Sequence, residues 1–187
     1  AWRFDDLPAD ISSFSLVLGI IIVETLEKLG IHGVRLKWPN DLYFGRAKLG
    51  GLLTEVIGEP QGESYVIAGI GINVAMPETA RSQIDQEITD LCSVGTAPGF
   101  SRNRLVAALI NSMCEHIPTY ALKGAKAFLE RWPAYDICKG QSVRLLMARN
   151  TVQGVALGID AQGRLLLKTE RGVEAFISGE ISLRFNS

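Results

Sequence analysis

The sequence predicts an α+β fold, a mixed or antiparallel sheet with helices followed by a small β-barrel, on three observations. One long apolar run, Phe14 to Val23, supplies a core helix. Strand-like segments joined by short glycine-containing turns fill Val34 to Ile72. After Asp136 the pattern changes to five short β runs separated by turn signals.

Ser12 or Ser13 is placed to cap a helix running to about Leu29. Gly30 fits the position just beyond its end, where the left-handed conformation suits glycine. The helix is apolar around most of its circumference, so it needs cover on several sides. Val34 to Lys37 is a short strand that stops at Pro39, which gives the ladder no donor. Asn40 and Asp41 then favour a turn. Leu42 to Phe44 and Lys48 to Val56 make a hairpin around Gly45-Arg46-Ala47, and Gly58 to Gly62 turns the chain into a third strand, Ser64 to Ile72. Trp2-Arg3-Phe4 has the look of a strand as well.

From Pro77 to about Phe100 apolar periodicity gives way to polar residues, apart from a short helix expected near Ile84 to Leu91, and this stretch is expected to be mobile or variable. Ser101 caps the next helix, in which Leu105, Ala108, Leu109 and Met113 recur at helical spacing before Pro118 kinks or ends it. Ala125 to Trp132 supplies another helical segment that ends at Pro133. The β runs are Val143 to Leu146, Thr151 to Leu157, Arg164 to Lys168, Val173 to Ile177 and Ile181 to Leu183. There is no internal repeat and no low-complexity tract.

The 187 residues, 47% of them apolar, suffice for one ordinary core plus a small satellite domain. With 19 basic and 20 acidic residues the charges nearly cancel, so no global field favours nucleic acid or an anionic membrane. Phosphate binding would need local positive charge. Cys92, Cys114 and Cys138 lie far apart, with neither metal nor redox spacing, which fits buried or half-buried thiols in a reduced, cytoplasmic compartment. Phe14 to Val23 is about half of the ~20 residues that span a bilayer, and Glu24 ends it. His32 and His116 are isolated and read as structural.

The densest chemistry sits in Lys37-Trp38-Pro39-Asn40-Asp41-Leu42-Tyr43, then Lys48-Leu49-Gly50-Gly51-Leu52-Leu53, then Gly69-Ile70-Gly71-Ile72-Asn73. Strand alternation puts Lys48 in line with Gly50 and Leu52, and lines Gly69, Gly71 and Asn73 along one face of another strand. Three glycines, Gly51, Gly69 and Gly71, around one lysine favour a slot for an anionic ligand; the bland alternatives are bulges or close backbone packing. Lys48 by itself would read as a solvated strand residue, and it is the surrounding motif that reverses this. Lys37 shares a strand face with Arg35, which suits either the border of a phosphate site or a solvated face. Trp38 is better suited to packing than to stacking on a base.

These segments, extending to Met76 and more weakly to Gly179-Glu180-Ile181-Ser182-Leu183-Arg184, resemble the catalytic core of the biotin protein ligases. Nearly the whole chain fits that frame. The resemblance implies a class II aminoacyl-tRNA synthetase-like catalytic core, here partial, over residues 1–136, and an SH3-like barrel over 137–187. It also implies a glycine- and arginine-rich loop upstream of Ala1, so that the chain is expected to be a C-terminal fragment.

What the resemblance implies chemically is ATP-dependent formation of biotinyl-5'-AMP, then transfer of biotin to a lysine of a biotin carboxyl carrier protein. ATP and biotin are the substrates, and Mg²⁺ accompanies ATP. Lys48 is expected against the biotin carboxylate and the α-phosphate, with Gly50, Gly51, Gly69 and Gly71 giving room for biotin. Lys37, Asn40, Asp41, Asn73 and Arg184 are expected on the nucleotide side. Each of these has a second meaning: Asn40 as a turn residue, Asn73 as a strand terminator, Arg184 as a surface residue. Asp41 could position a lysine, reach Mg²⁺ or simply shape the turn. An exposed edge strand could support a homodimer. A non-catalytic sensing half of a bifunctional ligase and transcriptional repressor is the main rival, with DNA as a partner only if an N-terminal helix-turn-helix exists. Lipoate ligases and aminoacyl-tRNA synthetase relatives would keep the general fold but lose the match at Lys37 to Asp41.

Overall fold

The computed structural model describes residues 1–58, 62–96, 100–147, 150–178 and 181–185. The chain enters on β1 (Trp2–Phe4), and one 3-10 turn (Ile11–Ser13) leads into α1 (Phe14–Lys28). Leu16 through Val23 is buried without a break, as the unbroken apolar run requires. Ser13 stands at the N-cap, but its hydroxyl donates to the Gln162 carbonyl at 2.7 Å instead of capping the helix. Gly30, with φ 82°, follows the helix end as expected.

Next come β2 (Val34–Lys37), β3 (Asp41–Phe44), β4 (Ala47–Gly58) and β5 (Ser64–Ile72). With β1 they form an antiparallel sheet in the order β1-β5-β4-β3-β2. Residues 59–61 of the turn expected between Gly58 and Gly62 lie outside the described residues.

Beyond β5 the helix expected at Ile84 to Leu91 does not form. Single turns stand at either side, α2 (Glu78–Arg81) and α3 (Leu91–Val94), and the residues between them run as a strap alongside β4. The physical reason is that Asp85-Gln86-Glu87 leaves no apolar helical stripe. The strap's backbone finds partners on β4 instead: Lys48 N–H donates to Glu87 O at 2.8 Å, and Thr89 N–H donates to Lys48 O at 2.9 Å.

The helix α4 (Arg102–Lys123) begins as predicted, with the Ser101 hydroxyl accepting from Arg104 N–H. Pro118 does not end it. Ile117 and Tyr120, buried on either side of the proline, pack the last turns onto the core and outweigh one missing backbone donor. The single segment expected from Ala125 to Trp132 is two separate turns, α5 (Lys126–Leu129) and α6 (Trp132–Tyr135). Pro133 opens the second of them, in the first turn, where a missing N–H leaves no bond unmade.

All five late β runs form: β6 (Ser142–Met147), β7 (Thr151–Ile159), β8 (Leu165–Thr169), β9 (Gly172–Phe176) and β10 (Ile181–Phe185). They make a second antiparallel sheet, in the order β10-β6-β7-β8-β9, around buried Val143, Leu145, Ala156, Leu165, Leu167 and Leu183. It is fastened to the first unit by specific bonds. Trp38 Nε1 donates to Gly163 O at 3.1 Å, Ile137 N–H donates to Leu36 O at 3.0 Å, and the Phe185 ring meets Tyr43 edge-on at 6.4 Å. No helix among the described residues is long and apolar enough to cross a membrane.

Candidate functional site

Register decides which residues share a face here. Leu42 lies opposite Gly50, yet Tyr43 lies opposite Lys48, so Leu49 is an extra residue on β4. The bulge overturns strict alternation: Lys48 stands with Gly51, not with Gly50 and Leu52. A Cβ built on Gly51 would lie 3.7 Å from Lys48 Cε and 3.2 Å from Asp41 Oδ1. On Gly50 a Cβ would overlap the Gly71 carbonyl oxygen and lie 3.1 Å from Ile72 Cα. Gly50 is thus needed for strand approach, and its emptiness makes no room beside Lys48.

The room lies on the other face. Gly51 pairs with Gly71 and Leu53 with Gly69. Side chains built on Gly69 and Gly71 would meet nothing nearer than 3.6 Å and 3.7 Å respectively. These three glycines leave a bare backbone shelf, flanked by Lys48 and by Leu53, which is 61% exposed. A flat ligand can lie directly on the peptide groups of such a shelf.

Asp41 organises the charges. Its Oδ1 is 2.6 Å from Lys48 Nζ, and its Oδ2 is 3.5 Å from Lys37 Nζ. Lys37 is only 3% exposed, so a solvated face shared with Arg35 does not describe it. Arg35 itself stays at the surface, where its guanidinium donates to the Ala134 carbonyl. Burial drives Lys37 below the ordinary lysine range, although Asp41 pulls the other way. Its ammonium also sits 5.4 Å from the centre of the Tyr43 ring. Trp38 is buried, as its packing assignment requires.

Both asparagines tie backbone together. Asn40 Nδ2 donates to Leu52 O at 2.7 Å, and Leu52 N–H returns a bond to Asn40 O at 2.8 Å. Asn73 N–H donates to Leu49 O at 2.9 Å, and its Nδ2 donates to Thr89 O at 3.0 Å. Each side-chain amide thus fixes a backbone segment that is remote in sequence.

A second space adjoins the shelf. An open cleft of about 1130 Å³ is lined by Lys37, Tyr43, Arg46, Arg144 and Arg184, with Asp85 and Glu87 of the strap. Lys48, Asn40, Asp41, Asn73 and the shelf glycines do not line it. The predicted residues therefore fall into two parts, and Asp41 joins them by bonding one lysine of each. Three guanidinium groups and a lysine suit a polyanion, whereas one half-buried lysine beside a bare shelf suits a single anionic group on a flat ligand. Arg144 and the strap were not foreseen. Arg144 stands opposite Arg184 on neighbouring strands, a juxtaposition visible only once strand order is known. Gly179 and Glu180 of the C-terminal motif lie outside the described residues.

Residues 4–73 match the Biotin/lipoate A/B protein ligase family, and residues 140–184 match the Biotin protein ligase C terminal domain. Escherichia coli (strain K12) has a relative called "Bifunctional ligase/repressor BirA", 37% identical over 183 residues that make up 98% of this chain and 56% of that protein. A Mycobacterium tuberculosis relative, "Biotin--[acetyl-CoA-carboxylase] ligase", is 30% identical over 168 residues, 89% of this chain and 57% of that protein. The chain thus spans about half the length of the curated relatives it matches. Among solved structures, the Aquifex aeolicus biotin protein ligase in complex with biotin and ATP superposes with a TM-score of 0.80 at 29% identity, covering 98% of this chain and 77% of that one. The apo form of that protein gives a TM-score of 0.81 and covers 98% of this chain and 81% of that one.

Proposed function

Because the chain belongs to the biotin protein ligase family, we propose that it carries the reacting site of an ATP-dependent, AMP-forming biotin ligase. Biotin lies on the glycine shelf, with its carboxylate at Lys48. A carboxylate oxygen attacks the α-phosphorus of ATP, the bond from that phosphorus to the β-phosphate bridging oxygen breaks, and biotinyl-5'-AMP and pyrophosphate result. A carrier lysine amine then attacks the acyl carbon, and AMP leaves with the bonding pair. The acceptor is a biotin carboxyl carrier protein.

The observation that supports this best is Lys48, held by Asp41 at the rim of a shelf that three glycines keep bare. A fixed cation there offsets repulsion between carboxylate and phosphate and stabilises charge gathering on the α-phosphate oxygens. Lys37 and Arg184, in the cleft, face the triphosphate. Mg²⁺ enters as part of the Mg-ATP substrate, bound chiefly by phosphate oxygens. Asp41 is committed to two lysines, and no cluster of three or more metal-ligating side chains occurs among the described residues. Asn40 and Asn73 act here by fixing the loops around the shelf, with any nucleotide contact secondary to that. We divide the chain at 136/137, with the small second sheet completing the cleft, and place the protein in the cytoplasm.

A second reading has one observation in its favour, the bifunctional ligase/repressor name of the Escherichia coli relative. On it, the same site would sense biotinyl-AMP in a protein that binds DNA and pairs with a second copy through an edge strand.

Biotin-dependent exchange of labelled pyrophosphate into ATP separates the two. It should be measured on the 187-residue chain, on the full-length gene product and on Lys48→Ala in the latter. Exchange in the full-length protein that falls by about a hundredfold or more in Lys48→Ala supports the ligase. Biotin binding with no exchange overturns it in favour of the sensor.

A further inference from the structure

We propose that Arg81 and Asp90 are positioning residues which staple the strap 82–89 and thereby fix Lys48 before any ligand arrives. The proposal rests on Lys48 being the reacting-site lysine. Three observations lead to it.

First, Lys48 lies beyond the end of the β4–β5 ladder. The pairing with β5 stops at Gly50 opposite Ile72, and Asn73 bonds back only as far as Leu49. On that side of β4 both backbone groups of Lys48 are served by the strap. Its N–H donates to Glu87 O, its carbonyl accepts from Thr89 N–H, and Ile88 forms the parallel bridge beside it. The other side of β4 is held by Tyr43. If the strap moves, one of the two supports of the Lys48 backbone goes with it.

Second, the strap has little packing of its own. Residues 82–87 are exposed, Ile84 among them, and no helix or strand runs through them. A segment without buried apolar anchors opens readily unless polar bonds hold it.

Third, those bonds converge on one ion pair at its two ends. Arg81, the last residue of α2, pairs with Asp90, which precedes α3 and is 2% exposed. The same guanidinium donates to Ile88 O at 3.3 Å and to Ser93 Oγ at 2.9 Å. Asp90 also accepts from Met76 N–H at 2.8 Å and from Ser93 N–H at 2.7 Å. Arg81 thus touches both the closing carboxylate and the peptide that lies beside Lys48. A buried carboxylate with three protein donors is a costly feature for a surface loop unless that loop must stay in place. Held so, the strap also keeps Asp85 and Glu87 at the cleft wall.

The test compares Arg81→Met, Arg81→Lys and a control, Arg131→Met. The control breaks another partly buried ion pair, Arg131 with Glu24 at 2.6 and 2.7 Å, which has no contact with the strap. In the chain itself, amide hydrogen exchange at Lys48 and Thr89 should quicken about tenfold or more in Arg81→Met, recover part of its protection in Arg81→Lys, and stay unchanged in the control. Lys48 acetylation by acetic anhydride should change rate in Arg81→Met alone. In the full-length protein, kcat for pyrophosphate exchange should fall roughly tenfold to a hundredfold with little change in the KM for biotin. Unaltered exchange at Lys48 and Thr89 in Arg81→Met, or an equal loss of kcat in Arg131→Met, overturns the proposal. An unsubstituted protein without pyrophosphate exchange overturns the ligase assignment instead, and the amide and acetylation measurements still decide the staple.

Discussion

Replacing Gly50 and Gly71 separately by alanine should split two effects that the sequence alone runs together. At Gly50 the new methyl overlaps a backbone carbonyl on β5 and presses on Ile72 Cα at 3.1 Å. Neither is the movable end of a side chain, so β4 and β5 must part where the sheet is most tightly drawn. Overpacking of this kind costs about 1–3 kcal/mol, and one or two weakened ladder bonds add about 0.5–1.5 kcal/mol each. Restriction of the unfolded chain returns roughly 0.4–1 kcal/mol. The net loss is about 2–4 kcal/mol, which lowers Tm by roughly 5–15 °C for a chain of this size. At Gly71 the nearest atom to the new methyl is 3.7 Å away, so stability should hold or rise slightly. The methyl stands on the shelf, however, and should weaken biotin binding about tenfold or more. Urea unfolding followed by tryptophan fluorescence reads the first effect, and titration calorimetry with biotin reads the second. A Gly50→Ala midpoint equal to the parent's would refute the close-approach argument. Unchanged biotin affinity in Gly71→Ala would refute the shelf.

Lys37→Met should leave stability equal or slightly improved, since Asp41 keeps Lys48 and a buried charge is removed. Because burial holds the folded pKa of Lys37 below 10.5, the parent should gain stability as pH climbs through that depressed value toward 10.5. Thermal melts across this range should show the gain in the parent and a flatter profile in Lys37→Met. Asp90 behaves oppositely at the acid end. Burial opposes its charge, but the Met76 and Ser93 N–H groups, the Ser93 side chain and Arg81 outweigh this and hold its pKa below 3.8. Its contribution is complete above 3.8 and disappears as pH falls through the lower folded value, so Asp90→Asn should flatten the acid limb of the melting curve. Trp38→Phe removes the bond to Gly163 and leaves a buried carbonyl unpaired, a loss of about 1–3 kcal/mol. Unfolding monitored by urea should move to lower concentration.

Much of the fold was legible because the determining signals are local. The length of α1 follows from one apolar run ended by glycine, and the β2 to β5 hairpins follow from alternation and turn residues. Pro118 and Pro133 misled because burial of Ile117 and Tyr120 and the position of a helix start are settled by tertiary packing. The short helix expected near Ile84 to Leu91 is replaced by the strap because the strap's partner, Lys48 at the start of β4, is distant in sequence. The site was half legible. Lys48, Asp41 and the glycines stood out together in the sequence and lie together in the fold, but one extra residue at Leu49 exchanged the parts of Gly50 and Gly51. A bulge leaves no mark in a run of Leu-Gly-Gly. The burial of Lys37 was hidden for a similar reason, since Arg35 and Lys37 share strand parity but only Lys37 lies under Tyr43.

One carboxylate shared by two ammonium groups makes the tolerance of this cluster one-sided. Loss of either lysine leaves Asp41 with a partner, so drift at Lys37 passes through intermediates that still fold. Loss of the carboxylate strands a nearly water-free ammonium beside a second like charge, since among the described residues neither lysine has another carboxylate within ion-pair distance. Asp41 is therefore the member of the cluster that exchange by single steps can least reach, and any lineage that alters it must change Lys37 first.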